Sequence, residues 1–264
     1  MSNTAGDPGT ALKAAGGVPT VRSVEKAFTV LEAFTNRERY LSLGTIAEIT
    51  GLDKSAVQRL TRTLIGLGYL EQDPGTRHYC IGRRVLDLSF GYLQSNDLVE
   101  RAAPVLIDLR KAARERVDLT LIDGNDILYV FRLQSKRETL HAALVGRRVP
   151  IYCSAGGRAI MARLPREVAE QMLDRSNPQP VTPHTLTDKA ALMAEIDKAR
   201  TRGFALQSEE WRLGELVVAA AILNREEMPV AAVHIAGSTT EWAPEDFAAK
   251  MGPLVLAAAQ DIPG

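Results

Sequence analysis

The chain has 264 residues, 45% hydrophobic and 24% charged, with 32 basic and 32 acidic side chains and a formal net charge of zero. That is globular composition, and neutrality excludes a non-specific polyanion binder, so any contact with nucleic acid has to be local. Two cysteines, Cys80 and Cys153, are too few for a disulfide framework, and the length fits one large or two modest domains.

Residues 1–20, MSNTAGDPGTALKAAGGVPT, carry almost no large apolar side chains and are expected to be a disordered tail, neither signal peptide nor membrane span. No later apolar run reaches the roughly 18 residues that cross a bilayer, so no membrane partner and a reducing, cytoplasmic setting are expected. In SVEKAFTVLEAF, Val24, Ala27, Phe28, Leu31 and Phe34 recur at helical spacing and predict one buried stripe, with Ser23 as N-cap. A second helix fits Leu43 to Thr50, with Ile46 and Ala47 inward and Gly51 as a left-handed C-cap. Asp53 caps a third helix from Lys54, with Val57, Leu60, Leu64 and Leu67 inward, stopping near Gly66–Gly68. Two β-prone runs, YLEQ (69–72) and RHYCI (77–81), flank the turn DPGT (73–76). Helix, helix-turn-helix and hairpin in that order predict a winged helix-turn-helix over residues 21–82.

From Arg83 a linker helix is expected over 83–97, and then a helix from Leu98 to Val117. Strands are predicted at LTLID (119–123) and ILYVFRL (127–133) around the turn GND, and at TLHAALV (139–145). SAGGRAIMARL (154–164) reads as a helix started by glycines, and Thr187 as the cap of a helix ending at Gly203, with Leu192 and Ile196 inward. FALQS (204–208), VVAAAIL (217–223) and PVAAVHIAG (229–237) read as strands, and 244–262 as a final helix kinked at Pro253. Residues 98–264 are thus expected to be an α/β domain on a mainly antiparallel sheet, making the whole chain α+β.

The polar face of GLDKSAVQRLTRTL (51–64) has two readings. It is either a solvated surface or a reader of DNA. A short turn beginning with Gly suits helix-turn-helix geometry, and Lys, Ser, Gln and Arg are the side chains that read major-groove edges. From Lys54 to Arg84 six basic residues stand against two acidic ones, a net of +4 on a neutral protein. On this reading Lys54, Ser55, Gln58 and Arg59 meet bases in the first turns. Arg62 reaches phosphate, Arg77 at the wing enters a minor groove, and Thr45 gives a hydroxyl and backbone N–H to phosphate.

The C-terminal half holds no catalytic signature. GxSxG is absent, AGGRA is neither a dinucleotide nor a P-loop motif, and the histidines (His78, His141, His184, His234) lack metal-ligand spacing. No cofactor and no metal are expected, and Cys153 reads as a small core residue. Two motifs point to a pocket. SAGGRA exposes backbone N–H groups to a small anion, or alternatively packs a helix tightly on a sheet. QSEEW (207–211) sets two acids beside a tryptophan, although surface acids are the plainer explanation. An enzyme acting on a small metabolite, with the helical N-terminus as an interaction module, is the alternative function.

The segments SVEKAFTVLEAF, IAEITGLDKSAVQRLTRTLIGLGYLEQ, VGRRVPIYCSAGGRAIMARLP, GFALQSEEWRLGELVVAAAI and PVAAVHIAGS together resemble the IclR family of bacterial transcription regulators. The resemblance spans about Val21 to Ile262. It implies a winged helix-turn-helix on a GAF-like effector domain, binding a double-stranded operator as a homodimer or dimer of dimers. It implies control of a catabolic or transport operon in response to a small carboxylate or aromatic acid. Carried over by position, Ser154, Ala155 and Gly156 would meet the effector, with His141, Gln207, Val217, His234 and Ala236 lining the pocket. Gln207 stands where the family often has Asp, and Val217 is apolar where some relatives are polar, which implies a different effector from theirs. Two histidines facing a cavity would suit an acid with a further polar group.

Overall fold

The computed structural model describes residues 20–35, 38–135 and 145–264. The expected tail lies outside these apart from Thr20, as does the expected strand 139–145, His141 included, apart from Val145. One compact unit extends to Tyr92 and a second runs from Leu93 to the C-terminus.

The first unit is built from α1 (Arg22–Glu32), α2 (Leu43–Thr50), α3 (Lys54–Gly66) and a hairpin of β1 (Leu70–Gln72) and β2 (Tyr79–Ile81). Leu70 pairs with Ile81 and Gln72 with Tyr79, and Leu41 bridges to Tyr79 from the chain before α2. Ser42 caps α2 by accepting from the Thr45 N–H at 3.0 Å. Gly51 ends α2 at φ 66°, a left-handed conformation that suits glycine. Asp53 caps α3 by accepting from the Ala56 N–H at 2.8 Å. Val30, Ile46, Val57, Leu64, Leu70 and Tyr79 fill the core.

Four expectations need correction. Ser23 does not cap α1, which begins at Arg22 behind Val21 with no side-chain cap. The inward face of α1 is centred on Val30 and, in the following turn, Ala33, so Val24 and Phe28 stand to one side, 51% and 54% exposed. Leu67 is exposed because α3 ends at Gly66 and its periodicity no longer applies there. The linker helix α4 (Val85–Gln94) is shorter than the expected 83–97 and buries none of its residues, leaving Leu86, Leu88, Phe90 and Tyr92 exposed.

The second unit is a six-stranded antiparallel sheet in the order β5-β4-β3-β8-β7-β6. Its strands are β3 (Arg116–Asp123), β4 (Asp126–Leu133), β5 (Arg148–Pro150), β6 (Ala205–Ser208), β7 (Glu215–Leu223) and β8 (Pro229–Ser238). One face packs on α5 (Asp97–Ala113) and α9 (Pro244–Asp261) through Leu106, Val218, Val233, Ile235 and Phe247. The other packs on α6 (Ala155–Met161), α7 (Arg166–Ser176) and α8 (Lys189–Arg202) through Ile127, Ile160, Leu173, Ile196 and Ala232. Two well-formed cores follow from strict alternation in β7 and β8, where odd and even residues serve opposite faces.

Here too the structure departs from expectation. The helix expected to reach Val117 stops at Ala113, because Arg114 turns left-handed at φ 59° and Arg116 already begins β3. Asp188, not Thr187, caps α8, accepting from the Ala191 N–H at 2.8 Å. Strand β5 and helix α7 were not expected. α9 runs continuously through Pro253, which sheet packing over its whole length allows despite the lost hydrogen bond.

Candidate functional site

Buried Ala56, Val57, Thr61 and Leu64 define the inner face of α3, and Lys54, Ser55, Gln58, Arg59 and Arg62 share its exposed face. The first turn is organised in advance. Asp53 Oδ1 accepts from the Ser55 hydroxyl at 2.6 Å as well as from Ala56, and Ser55 Oγ accepts from Arg59 Nη1 at 3.3 Å. The Ser55 hydroxyl and then the Ala56 N–H hold the Asp53 carboxyl below its ordinary range, so it stays an anionic cap. Thr45 sits on α2 with its N–H already engaged by Ser42 and its hydroxyl 2.8 Å from Ser42 Oγ. Both of its expected phosphate donors thus contact Ser42. Replacing Ser42 with Ala should therefore cost the N-terminal unit about 1 kcal/mol, read as a lower urea midpoint; an unchanged midpoint would refute the cap's importance.

The wing turn is held by Asp73, whose Oδ1 accepts from the N–H groups of Gly75 (3.0 Å) and Thr76 (2.6 Å) and from the Thr76 hydroxyl (2.9 Å). Those Thr76 donors keep the carboxyl below its usual range. Arg77 follows at φ 61° with its carbonyl accepting from Gln72 Nε2 at 3.0 Å, and its side chain is exposed. Arg84, counted in the cationic patch, has a structural tie as well. Its Nη1 donates to the Leu67 carbonyl at 3.0 Å, and its guanidinium lies 5.6 Å from the Tyr69 ring centroid.

In the second unit strand register assembles what the sequence scatters. Gln207 pairs with Val217, Val217 with Ala236, and Ala236 with Arg116, forming one row across four strands. The next row joins Ala219, His234, Asp118 and Arg132. Helix α6 closes over them, capped by Ser154, whose Oγ accepts from the Gly157 N–H at 3.1 Å. Ala155 is buried beside it. A Cβ on Gly156 would stand 2.4 Å from His234 Cε1, and one on Gly157 would stand 2.3 Å from the Ile151 carbonyl oxygen. Gly156 thus serves close packing of helix on sheet, and Gly157 close packing of the helix on the turn Ile151–Cys153 that precedes it.

Arg116, Asp118 and Arg132 form a buried charge cluster missed in the sequence. Asp118 accepts from Arg116 Nε at 3.0 Å and from Arg132 Nε and Nη2 at 2.5 and 3.1 Å, and Arg116 Nη2 reaches Glu215 at 2.7 Å. The alternation Arg116, Asp118, Thr120 in an otherwise apolar strand was the available signal. His234 Nε2 lies 2.8 Å from Thr120 Oγ1, and its ring centroid lies 5.8 Å from that of Tyr129. Burial, then Arg116 and Arg132, push the imidazole pKa down to about 3, so it is neutral.

The QSEEW segment is not a pair of surface acids. Glu210 is buried and meets Arg158 in a bidentate pair, Nη1 to Oε1 at 2.6 Å and Nη2 to Oε2 at 2.5 Å. Glu209 Oε1 accepts from the Gly214 N–H at 2.7 Å. With its amide oxygen turned to this loop, Gln207 accepts from the N–H groups of Glu209, Glu210 and Trp211 at 3.3, 2.5 and 3.2 Å. Cys153 is fully buried, and burial pushes its thiol up to about 12, so it packs rather than reacts. Among the described residues no cluster of three metal-ligating side chains occurs, and no helix is long and apolar enough to cross a membrane.

The IclR helix-turn-helix domain model matches residues 23–74, and that of the bacterial transcriptional regulator IclR C-terminal domain matches residues 90–263. The chain belongs to the IclR family. It is a DNA-binding transcription regulator and not an enzyme, with an α+β fold that joins helix-turn-helix helices to an antiparallel, GAF-like effector domain. It is 28% identical over 223 residues to the regulator XynR of Escherichia coli, covering 84% of this chain and 88% of that one. It is 29% identical to the Pca regulon regulatory protein of Pseudomonas putida, covering 91% and 82%. An IclR homologue from Microbacterium hydrocarbonoxydans, solved with 4-hydroxybenzoate, superposes with a TM-score of 0.73 at 22% identity, covering 91% of this chain and 97% of that one.

Proposed function

We propose that this IclR-family regulator reads a double-stranded operator with α3 and the wing, and controls a catabolic or transport operon in response to a small organic acid or aromatic metabolite. The observation that carries the first part is the exposed row Lys54, Ser55, Gln58, Arg59 and Arg62, with Arg59 positioned through Ser55 by the capping Asp53. A fixed guanidinium loses less freedom on meeting a guanine edge than a free one. Arg62 and the Thr45 hydroxyl serve phosphates, and Arg77 serves the groove beside the wing. Residues 21–82 are the reading head, 83–97 the linker, and 98–264 the effector-binding and oligomerisation domain.

A net-neutral protein with so small a cationic patch gains affinity by presenting two heads at once. The exposed apolar residues Val24 and Phe28 of α1 and Leu86 and Phe90 of α4 suit burial between copies, as a homodimer or dimer of dimers. On the effector face, Gln207, Val217, His234 and Ala236 lie in adjacent rows under Ser154, Ala155 and Gly156. The aromatic-acid ligand of the Microbacterium homologue supports this class of effector.

The test is nuclease footprinting and fluorescence anisotropy on DNA upstream of the chain's own gene, the latter at two salt concentrations. The wild type should show a protected palindrome and a steep salt slope. Arg59→Ala should weaken the specific site at least about tenfold while sparing random DNA. Equal affinity of variant and wild type for the operator would overturn the base-reading role.

A further inference from the structure

We infer that Asp53 sets a base preference through Ser55. By holding the Ser55 proton it makes that hydroxyl an acceptor alone, so Ser55 admits adenine or cytosine at the base it meets and rejects guanine or thymine. This rests on the reading of α3 as the helix that meets base edges, within the domain matched by the helix-turn-helix model. A serine hydroxyl by itself has one proton and two lone pairs, so it suits any base and carries no sequence information. Here the proton is already placed. Ser55 Oγ donates to Asp53 Oδ1 at 2.6 Å, a short bond to a charged acceptor.

Asp53 is itself fixed. The same Oδ1 accepts from the Ala56 N–H at 2.8 Å, and the positive end of the helix favours its negative charge. The Ser55 hydroxyl, then the Ala56 N–H, hold its carboxyl below the ordinary range, so it is anionic at neutral pH. One lone pair of Ser55 Oγ accepts from Arg59 Nη1 at 3.3 Å. The second is left for the DNA, on a side chain that is exposed. The relay therefore runs one way, from Arg59 to Ser55 to Asp53, and each link fixes the next. In the major groove adenine N6 and cytosine N4 donate, whereas guanine O6 and thymine O4 accept. Every base pair carries one of each, so Ser55 reads which strand holds the amino group. Meeting guanine or thymine would set two acceptors against each other or break the bond to Asp53. Asp53 needs no contact with DNA; it is a positioning residue.

The experiment is a base-pair scan of the footprinted half-site by fluorescence anisotropy on the full chain, each position carrying all four pairs in turn. Ser55→Ala identifies the position that Ser55 reads, as the one where it levels the wild-type preference to within about twofold. There the wild type should favour adenine and cytosine over guanine and thymine by about fivefold or more. Asp53→Gly should level the same preference to within about twofold, because the Ser55 proton is then free to turn to either kind of edge. Glycine is an adequate N-cap, so the urea midpoint of this variant should stay close to wild type. The uniform gain in DNA affinity from losing one negative charge cancels in the ratio. Asp53→Asn keeps an oxygen for both donors and should retain the preference. The inference is overturned if wild type favours guanine or thymine at that position, if the preference survives in Asp53→Gly, or if Asp53→Asn loses it too. Preferences that respond to Arg59→Ala but nowhere to Ser55→Ala would overturn the inference alone and leave the base-reading role of α3 standing. A wild type with no base preference anywhere in the half-site would overturn both.

Discussion

Glu210→Gln is expected to destabilise the C-terminal unit by about 3–5 kcal/mol, because it strands the Arg158 guanidinium in the core without a counter-charge. Arg158 is 1% exposed, and its Nε also donates to the Tyr152 carbonyl at 3.0 Å, so it cannot swing out to water cheaply. Glu210 Oε2 accepts in addition from the Leu186 N–H at 3.1 Å. Thr182 and Thr185 donate to the carbonyls of Glu209 and Glu210 at 2.7 and 2.6 Å. The pair thus fastens helix α6, the segment before α8 and the β6–β7 loop to one another. Urea denaturation followed by tryptophan fluorescence reads the loss. The double variant Arg158→Met/Glu210→Gln should recover most of it, since no charge is then left buried. A single-variant loss below about 1 kcal/mol would show that the buried pair contributes no more than an exposed one.

Acid is expected to weaken the fold through His234. Its folded-state pKa is about 3 against an ordinary 6.5. Below pH 6.5 the unfolded chain takes up a proton that the folded chain refuses, so stability falls as pH drops from about 6.5 towards 3. Between pH 7.5 and 5 this one group costs on the order of 2 kcal/mol. Denaturant midpoints at both pH values, for wild type and His234→Phe, isolate the effect, because every other titrating group is common to both. The wild type should lose more, by about that amount, and parallel losses would show that the imidazole is not held neutral.

How much of this was legible depended on the range of the signal. The ends of α2 and α3 were readable because Gly51 and Asp53 act within one turn of themselves. The exposed polar row of α3 was readable for the same reason, since one helix period places Lys54, Ser55, Gln58, Arg59 and Arg62 together. The stripe of α1 was misread because Val30 is as apolar as Phe28 and periodicity alone does not say which the core claims. The sheet face under helix α6 was beyond such reasoning. Gln207, Val217, Ala236 and Arg116 become neighbours only through strand register, and the sequence separation of their strands hides it. The acids of QSEEW looked like surface because nothing near them in the chain announces Arg158, 52 positions from Glu210. The family resemblance suggested candidate pocket positions but not the Arg116–Asp118–Arg132 cluster beside them.

The contact between Gly156 and His234 has an evolutionary consequence. The space a side chain would need at 156 is already occupied by the imidazole. Drift at the two positions is therefore coupled: a larger residue at 156 is admissible only after 234 has become small. Any such exchange also discards the hydrogen bond between the imidazole and Thr120.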